Sequence, residues 1–293
     1  MKDRTKGIIF IVLSAFCFAA MGMLVHLAGD LPFLQKGFFR NAIALFVAYA
    51  SIRKAGVSLR LGQGERGYMF LRAAFGTVSI VCNFYALDRL PLSDASMLSK
   101  MSPFFAIIFS CIFLKERVYK QQWFYAAAAF AGSIFVLKPE MHELVSLAAV
   151  VALLGGISSG FAQTMVRVLN CRSVHKWVII FYFSLASTLV TMPSLLFSYQ
   201  PMTVKQVVIL LGAGIVATAA QYCMTKAYSY AAAAEISIYD YSQICFSAIL
   251  GYLFFGQMAD KWSYLGYLII VSAAVGMYFF NMRKEKWSEE DIV

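Results

Sequence analysis

The chain has 293 residues, of which 61% are hydrophobic and 14% charged, against about 45–50% and 25% in an ordinary soluble domain. A water-soluble fold cannot bury that much apolar surface, and the apolar residues come in blocks of about twenty, the length that a helix needs to cross a bilayer. The formal net charge of +10 arises from Lys and Arg residues in the connections between these blocks, which argues against a nucleic-acid-binding surface.

Ten helices, numbered α1 to α10 in chain order, are predicted from the apolar blocks, so the expected fold is an all-α membrane protein. The connections are short and many carry Pro, Gly or charged residues, which end helices. The predicted helices cover Gly7–Leu27, Phe33–Ile52, Gly67–Leu87, Ser93–Leu114, Gln121–Leu137, Leu144–Arg167, Val174–Phe197, Val204–Tyr228, Ala232–Phe255 and Trp262–Met282. The first block has no clear cleavage site for a signal peptidase, so we expect α1 to be retained.

The connections contain no recognisable catalytic motif. A Gly-rich phosphate loop, zinc-type Cys/His spacing and a nucleophile elbow are all missing from the sequence, so neither an enzyme nor a bound cofactor or metal is expected. The six cysteines lie singly, five of them within apolar blocks, and are interpreted as reduced packing residues.

Orientation follows from the distribution of Lys and Arg, which concentrate on the cytoplasmic side of membrane proteins. With a cytoplasmic N-terminus, sixteen basic residues fall on the cytoplasmic side and five on the other. These five are Lys36, Arg89, Lys138, Lys205 and Lys261. The bias predicts that both termini are cytoplasmic and that the protein lies in the cell membrane, which is the cytoplasmic (inner) membrane if the cell is bacterial. The protein is therefore expected to contact the lipid bilayer and a small-molecule substrate, and not nucleic acid.

A faint internal repeat relates α4 to α9 at an offset of 141 residues, which places Ala86 over Ala227. In this register, Ser96 lies over Ser237 and Lys100 over Tyr241. The offset predicts two five-helix repeats, residues 1–140 and 141–293. An odd number of helices in each repeat would give the two repeats opposite orientations in the membrane, as in many secondary transporters.

Four ionisable residues lie within the predicted spans at depths that call for an explanation. Arg40, Lys100 and Asp240 are each seven or eight residues from the nearer helix end, which is about 10–12 Å into the hydrocarbon, and Arg72 is five residues from Gly67. Charged groups there cost about 2.5–3.5 kcal/mol by insertion scales and usually mark functional sites. Lys226 and Glu235 are nearer to the cytoplasmic ends and can reach the surface.

Polar residues align at helical spacing on several helices, which a lipid-facing surface would not require. Their convergence predicts a polar site near the middle of the membrane, whereas the alternative is hydrogen bonding between helices. Pro103 should kink α4 beside Lys100. The small residues Gly155, Gly156 and Gly160 indicate close helix packing, with a hinge as the alternative. The predicted substrate-binding residues are Arg40, Arg72, Asn83, Tyr85, Lys100, Gln163, Gln221, Tyr239, Asp240 and Tyr241.

Several motifs resemble the drug/metabolite transporter superfamily, specifically its ten-helix EamA-type proteins. They are Arg72-Ala73-Ala74-Phe75-Gly76, the run Asn83-Phe84-Tyr85-Ala86-Leu87, the run Leu90-Pro91-Leu92-Ser93-Asp94-Ala95, Pro103, and Phe113-Leu114-Lys115-Glu116-Arg117. The run Phe181-Tyr182-Phe183-Ser184-Leu185 is similar to the subgroup that contains S-adenosylmethionine carriers. At the end of α9 the chain carries Gln257, where many relatives have an acidic residue. The resemblance implies transport by two inverted repeats.

The expected function is secondary transport of a small polar metabolite. Arg40 and Lys100 on one side and Asp240 on the other suit a zwitterionic or cationic solute such as an amino acid or an S-adenosylmethionine-like compound. Two alternatives stay open, an organic-anion or drug exporter and a membrane scaffold that transports nothing. The repeat register makes Lys100 and Asp240 near-equivalents, so we expect their side chains to approach each other as a substrate clamp or as a permanent ion pair.

Overall fold

The computed structural model describes residues 2–87, 89–90, 92–138, 146–197, 199–256 and 258–290, and these residues contain helices and no β-strand. The helices follow the predicted order. They are α1 (Lys2–Leu27), α2 (Phe33–Ala55), α3 (Gln63–Leu87), α4a (Leu92–Ser99), α4b (Ser102–Leu114), α5 (Lys120–Leu137), α6 (Leu147–Cys171), α7 (Lys176–Phe197), α8 (Val204–Tyr230), α9a (Ala233–Ile236), the 3-10 helix Ser237–Tyr241, α9b (Ser242–Phe255) and α10 (Lys261–Glu290).

Two of the ten predicted helices are interrupted in the middle. The predicted kink in α4 is present as a break between Ser99 and Ser102, and Pro103 occupies the first turn of α4b, where its missing N–H removes no helical hydrogen bond. The interruption of α9 was not predicted, because Ser237–Tyr241 contains neither Pro nor Gly. Both interruptions fall at equivalent places in the two halves of the chain.

Sequence signals set several helix ends. Thr203 caps α8 by accepting a hydrogen bond from the Gln206 amide, and Gly256 ends α9b in a left-handed conformation with a φ of 63°. Helix α6 begins at Leu147, where Ser146 is the N-cap, instead of at the predicted Leu144, which lies outside the described residues, as does Gln257. The chain thus reverses direction in short connections.

The outer surface is apolar and the interior contains many polar side chains. Phe46 and Phe70, for example, are each 71% exposed on the outside of the bundle. Within the part of the chain that the structure describes, six helices are long and apolar enough to cross a membrane by length and composition. They are Asp3–Leu27, Ser96–Leu114, Leu147–Cys171, Lys176–Leu195, Val204–Tyr230 and Lys261–Arg283. An apolar exterior over a polar interior is the arrangement expected in lipid.

The helices pack as two three-helix bundles and two helix pairs. Bundle A is α1, α8 and α9, bundle B is α6, α3 and α4, and the pairs are α2 with α7 and α5 with α10. If each of α1–α5 is exchanged with its counterpart among α6–α10, bundle A becomes bundle B, and each helix pair is converted into itself. A side chain at Gly156 or Gly160 would collide with the backbone of α4, so these glycines allow close packing within bundle B, as predicted.

One set of contacts breaks this symmetry. Helices α6 and α8 meet near their C-terminal ends, where Asn170 donates a hydrogen bond to the Thr225 carbonyl. The equivalent pair, α1 and α3, makes at most marginal contact in the part of the chain that the structure describes. The two bundles are therefore closed against each other at one end of the molecule and apart at the other.

Candidate functional site

The two helix interruptions meet through an ion pair between the halves of the chain. The Lys100 ammonium lies 3.3 Å from Oδ2 of Asp240 and donates a 2.7 Å hydrogen bond to Oε1 of Gln243. The side chains of Lys100 and Asp240 are only 15% and 11% exposed. Oδ1 of Asp240 is buried and has no hydrogen-bond partner among the described residues. The pair thus keeps one free acceptor at the centre of the bundle.

Backbone geometry holds this pair in place. The Tyr241 hydroxyl donates a 2.9 Å hydrogen bond to the Lys100 carbonyl, which the interrupted α4 leaves free, because the Phe104 amide bonds to the Met101 carbonyl instead. Tyr241 is fully buried, so the hydroxyl satisfies a carbonyl that water would reach poorly. Asp240 comes two residues before α9b, whose N-terminal dipole favours a carboxylate.

A second polar cluster joins α6, α8 and α9. The Tyr228 hydroxyl donates a 2.9 Å hydrogen bond to Oε1 of Gln163 and lies 3.1 Å from the Ser237 hydroxyl. Tyr228 and Ser237 are each 1% exposed. Since Ser237 opens the 3-10 segment that carries Asp240, this cluster positions the same interruption from the side of α6.

A third set of contacts closes the end of the bundle that carries the C-termini of α4b, α6 and α8. Nε of Arg167 lies 3.1 Å from Oε1 of Glu116, and Nη1 donates a 3.0 Å hydrogen bond to the Tyr228 carbonyl. Ser110 donates to the other carboxylate oxygen of Glu116. The bonds from Arg167 to the Tyr228 carbonyl and from Asn170 to the Thr225 carbonyl tie bundle B to bundle A, and Glu116 holds Arg167 in place for this.

Arg72 lies apart from that ion pair, at the contact of α3 with α7. Its guanidinium lies 4.0 Å above the centre of the Phe183 ring, in space that Gly76 leaves open. Nε of Arg72 has no hydrogen-bond partner in the described part of the chain. Arg40 makes a long 3.4 Å hydrogen bond to Oδ1 of its neighbour Asn41 and is close enough to act electrostatically on Arg72.

The other predicted residues occupy varied places. Asn83 donates to the Ser79 hydroxyl at 3.5 Å on its own helix, and Gln221 is buried on α8. The ring of Tyr85 lies 4.0 Å from the Arg89 guanidinium, at the end of α3. The Tyr239 hydroxyl is buried and has no hydrogen-bond partner among the described residues. The structure therefore brings Lys100, Asp240 and Tyr241 together, and it does not bring Tyr85 or Tyr239 to them.

Three participants were absent from the predicted set. They are Gln243, Ser237 and Tyr228, the last of which ends the predicted α8. Their signal was helical spacing, since Ser237, Asp240 and Gln243 recur every third residue. Spacing alone cannot show which partner from another helix each one meets.

Two grooves on the surface lie away from these polar clusters. One, of about 310 Å³, lies between α5 and α10 and is lined by Phe124, Tyr125, Ala128, Leu268, Ile269, Ser272 and Ala273. Another, of about 330 Å³, lies between α2 and α7 and is lined by Ala42, Leu45, Phe46, Tyr49, Phe181 and Leu185. Both are apolar and contain none of the predicted residues. Among the described residues, no group of three or more His, Cys, Asp or Glu side chains could hold a metal ion.

Comparison with known proteins agrees with this architecture. The chain is 35% identical over 268 residues to the pseudopaline exporter CntI of Pseudomonas aeruginosa, covering 91% of this chain and 93% of that one. It is 27% identical over 280 residues to an S-adenosylmethionine uptake transporter of Rickettsia bellii, covering 92% of each, and 23% identical over 270 residues to a riboflavin transporter of Vibrio cholerae, covering 91% and 90%. A crystal structure that is 16% identical has the same fold, with a TM-score of 0.82 over 96% of this chain and 99% of that one.

The repeat is also visible in the family comparison. Sequences of the EamA-like transporter family match residues 5–138 and, a second time, residues 146–279. The two matches are offset by 146 − 5 = 141 residues, the offset found within the sequence. The relatives named above are transporters of small metabolites, and the apolar helices place the chain in the cell membrane as a multi-pass protein. The chain belongs to the EamA-like transporter family.

Proposed function

We propose that the protein is a ten-span secondary transporter of a zwitterionic metabolite, with both termini in the cytoplasm and two inverted repeats, residues 1–140 and 141–293. The Lys100–Asp240 pair is the substrate-binding centre. The pair opens to clamp the solute, with Asp240 taking the ammonium group and Lys100 the carboxylate. Amino acids and S-adenosylmethionine-like compounds are the first candidates, since a relative that is 27% identical is an S-adenosylmethionine uptake transporter.

The observation that carries the proposal is the meeting of the two helix interruptions in one incompletely satisfied ion pair. A permanent structural pair would be expected to have its remaining polar atoms hydrogen-bonded, because unpaired buried acceptors are costly. Oδ1 of Asp240 has no partner in the described residues, whereas Lys100 is shared between Asp240 and Gln243. Discontinuous helices at mid-membrane are the usual sites of substrate binding in inverted-repeat transporters.

The asymmetry of the bundle contacts supports alternating access. Bundle A and bundle B are held together by Arg167 and Asn170 at the end that the charge bias makes cytoplasmic. The equivalent helices at the opposite end make at most marginal contact in the part of the chain described by the structure. The proposed cycle exchanges these two arrangements by rocking the bundles about the Lys100–Asp240 pair, which opens the site to the outside and then to the cytoplasm.

The proposal is tested by reconstituting the purified protein in liposomes and measuring uptake of labelled amino acids and S-adenosylmethionine. Asp240→Asn and Lys100→Gln should each abolish uptake while the protein remains monodisperse. Lys138→Gln and Asp260→Asn are matched controls, since they make the same substitutions in an ion pair at the surface, and should transport normally. Uptake at the wild-type rate by both central variants would rule out the clamp.

The same experiment addresses the alternative functions. A membrane scaffold would accumulate no solute in the liposomes. An organic-anion or drug exporter would instead accept anions that lack an amine, and its Asp240→Asn variant would retain transport, since Asp240 would serve there only to neutralise a neighbouring cation.

A further inference from the structure

The polar surface of α2, α3 and α7 contains two cations without a counter-ion. Arg72 is 4% exposed, and the charge that acts on it most clearly is another cation, Arg40. Neither residue is in an ion pair within the described part of the chain. By contrast, the Lys100 charge is matched by Asp240. An unpaired buried charge costs several kcal/mol in a low-dielectric environment, so Arg72, whose charge is opposed by a second cation on the half-buried Arg40, calls for an anion from outside the fold.

The position of the Arg72 guanidinium over the Phe183 ring, called here the Arg72 seat, depends on a glycine at position 76. A Cβ atom at position 76 would lie 2.2 Å from Nη1 of Arg72 and 2.7 Å from the Phe183 ring, so only glycine at this position leaves room for the guanidinium over that ring. The contact with the ring restrains the guanidinium, and its Nε atom has no hydrogen-bond partner among the described residues. A planar guanidinium presents its edge N–H groups as a fork that matches a carboxylate.

Further unpartnered polar atoms lie on the same three helices. They are Nδ2 of Asn41 on α2 and the hydroxyls of Ser184 and Thr188 on α7, all buried and without a hydrogen-bond partner among the described residues. Nearby, the Thr77 and Ser187 hydroxyls are bonded to each other at 3.0 Å, so the contact of α3 with α7 can satisfy its polar groups where no ligand is required. The unsatisfied donors therefore mark a place where something else binds.

We infer that Arg72, with Arg40 beside it, binds a carboxylate of the transported solute in addition to the carboxylate and ammonium that Lys100 and Asp240 clamp. This inference rests on the proposed function and narrows the substrate class to amine-bearing dicarboxylates or larger polycarboxylates. Neutralising both arginines and the central pair requires a solute with more carboxylate than ammonium groups. A simple monocarboxylic amino acid leaves the Arg72 seat empty and binds more weakly.

Arginine modification tests this without knowledge of the natural substrate. The purified protein is treated with phenylglyoxal, and the rate at each arginine is read by peptide mass spectrometry. Iminodiacetate, which has one amine and two carboxylates, should slow modification of Arg72 at least threefold, glycine should slow it less, and the neutral diamide of iminodiacetate should have no effect. Arg172, which lies in a connection and bonds to the Gly64 carbonyl, is the internal control and should react at one rate throughout.

A pair of glycine variants tests the seat itself. Gly76→Ala fills the space beneath the guanidinium and should weaken iminodiacetate binding about tenfold or more, the effect of losing a charged hydrogen bond. Gly212→Ala introduces the same methyl group on α8, where the nearest atom is 3.9 Å away, and should leave binding unchanged. Arg72→Lys keeps the charge without the fork and should also bind weakly.

The outcomes separate the two proposals. Protection of Arg72 by the diamide as strongly as by iminodiacetate, or an Arg72 that never reacts while Arg172 does, would overturn the carboxylate site even if liposomes show transport. Protection by iminodiacetate together with no transport in liposomes would leave the site standing and remove the proposed function.

Discussion

The Tyr241 hydroxyl caps the Lys100 carbonyl at 2.9 Å, so that the interruption of one repeat is satisfied by the interruption of the other. Both residues also belong to the central ion-pair region, since Tyr241 follows Asp240 directly. A change in the separation of α4 and α9 must therefore break this hydrogen bond and the ion pair together. The two interruptions form one unit, which neither repeat could complete alone.

Tyr241→Phe should lower stability. The substitution leaves the Lys100 carbonyl buried and unsatisfied, which costs about 1–3 kcal/mol. Thermal unfolding of the detergent-solubilised protein should show a lower midpoint, and Tyr252→Phe, at a 55% exposed position on α9b, should not. Equal midpoints for the two variants would mean that another group donates a hydrogen bond to the Lys100 carbonyl when the Tyr241 hydroxyl is absent.

Much of the fold could be predicted because each membrane-spanning helix is an apolar block that ends at Pro, Gly or charged residues, which are visible in the sequence. Apolar blocks bounded by Pro, Gly or charged residues predicted most helix ends within a few residues of those observed, although α10 continues to Glu290, beyond the predicted Met282. The kink at Pro103 was predictable because proline lacks an amide hydrogen. The 3-10 segment in α9 was not, since its residues allow an α-helix and its geometry depends on partners such as Tyr228 and Lys100 from other helices.

The candidate site was only partly predictable for a related reason. Lys100 and Asp240 stood out because charges in a span are rare, and the repeat register brought them together. Tyr239 and Tyr241 flank Asp240 and are the same residue type, yet the Tyr241 hydroxyl bonds to the Lys100 carbonyl in α4, whereas the buried Tyr239 hydroxyl has no hydrogen-bond partner among the described residues. In a 3-10 helix, with about three residues per turn, side chains two positions apart point about 120° from each other, so which tyrosine faces α4 depends on packing between helices.

Arg167→Gln should open the cytoplasmic end of the bundle. Arg167 of bundle B donates a hydrogen bond to the Tyr228 carbonyl of bundle A, so its loss removes one of the contacts that join the two bundles. In a cysteine-free background, a Ser159→Cys reporter on the polar face of α6 should react severalfold faster with an impermeant maleimide added from the cytoplasmic side. Arg172→Gln removes the same charge from a connection and should leave the rate unchanged. An equal labelling rate of the Ser159→Cys reporter with and without Arg167→Gln would show that this contact does not hold the cytoplasmic end closed.

Asp260 should make stability pH-dependent only in acid. Hydrogen bonds from Lys138 and then Ser263 lower the pKa of this exposed carboxyl to about 2. Because the folded pKa is below the ordinary value of about 3.9, the stabilisation is complete above that value and is lost as the pH falls toward 2. The difference in unfolding midpoint between wild type and Asp260→Asn should be constant above pH 5 and shrink below pH 4. A difference that changes between pH 6 and 8 would assign the effect to another group.

Both termini should be inaccessible from outside the cell. The bias of sixteen basic residues to five predicts a cytoplasmic location for each end. A single cysteine placed after Val293 in a cysteine-free variant should react with an impermeant maleimide only after the cells are permeabilised, whereas a cysteine at Lys205 should react in intact cells. External labelling at the C-terminus would invalidate the topology and the direction assigned to the closed end.

Exchanging the central charges separates a structural ion pair from a substrate clamp. Lys100→Asp and Asp240→Lys each place two like charges together and should lower yield and thermal stability, since each leaves buried charges without partners. The double variant restores an ion pair, so it should recover much of the stability. It should not recover transport, because the clamp requires the anion beside the N-terminus of α9b and the cation on α4, and the exchanged pair presents the reverse order to the solute. Liposome uptake and unfolding midpoints of the four proteins form a double-mutant cycle for each property. Recovery of both stability and transport in the double variant would show that the pair only neutralises two buried charges.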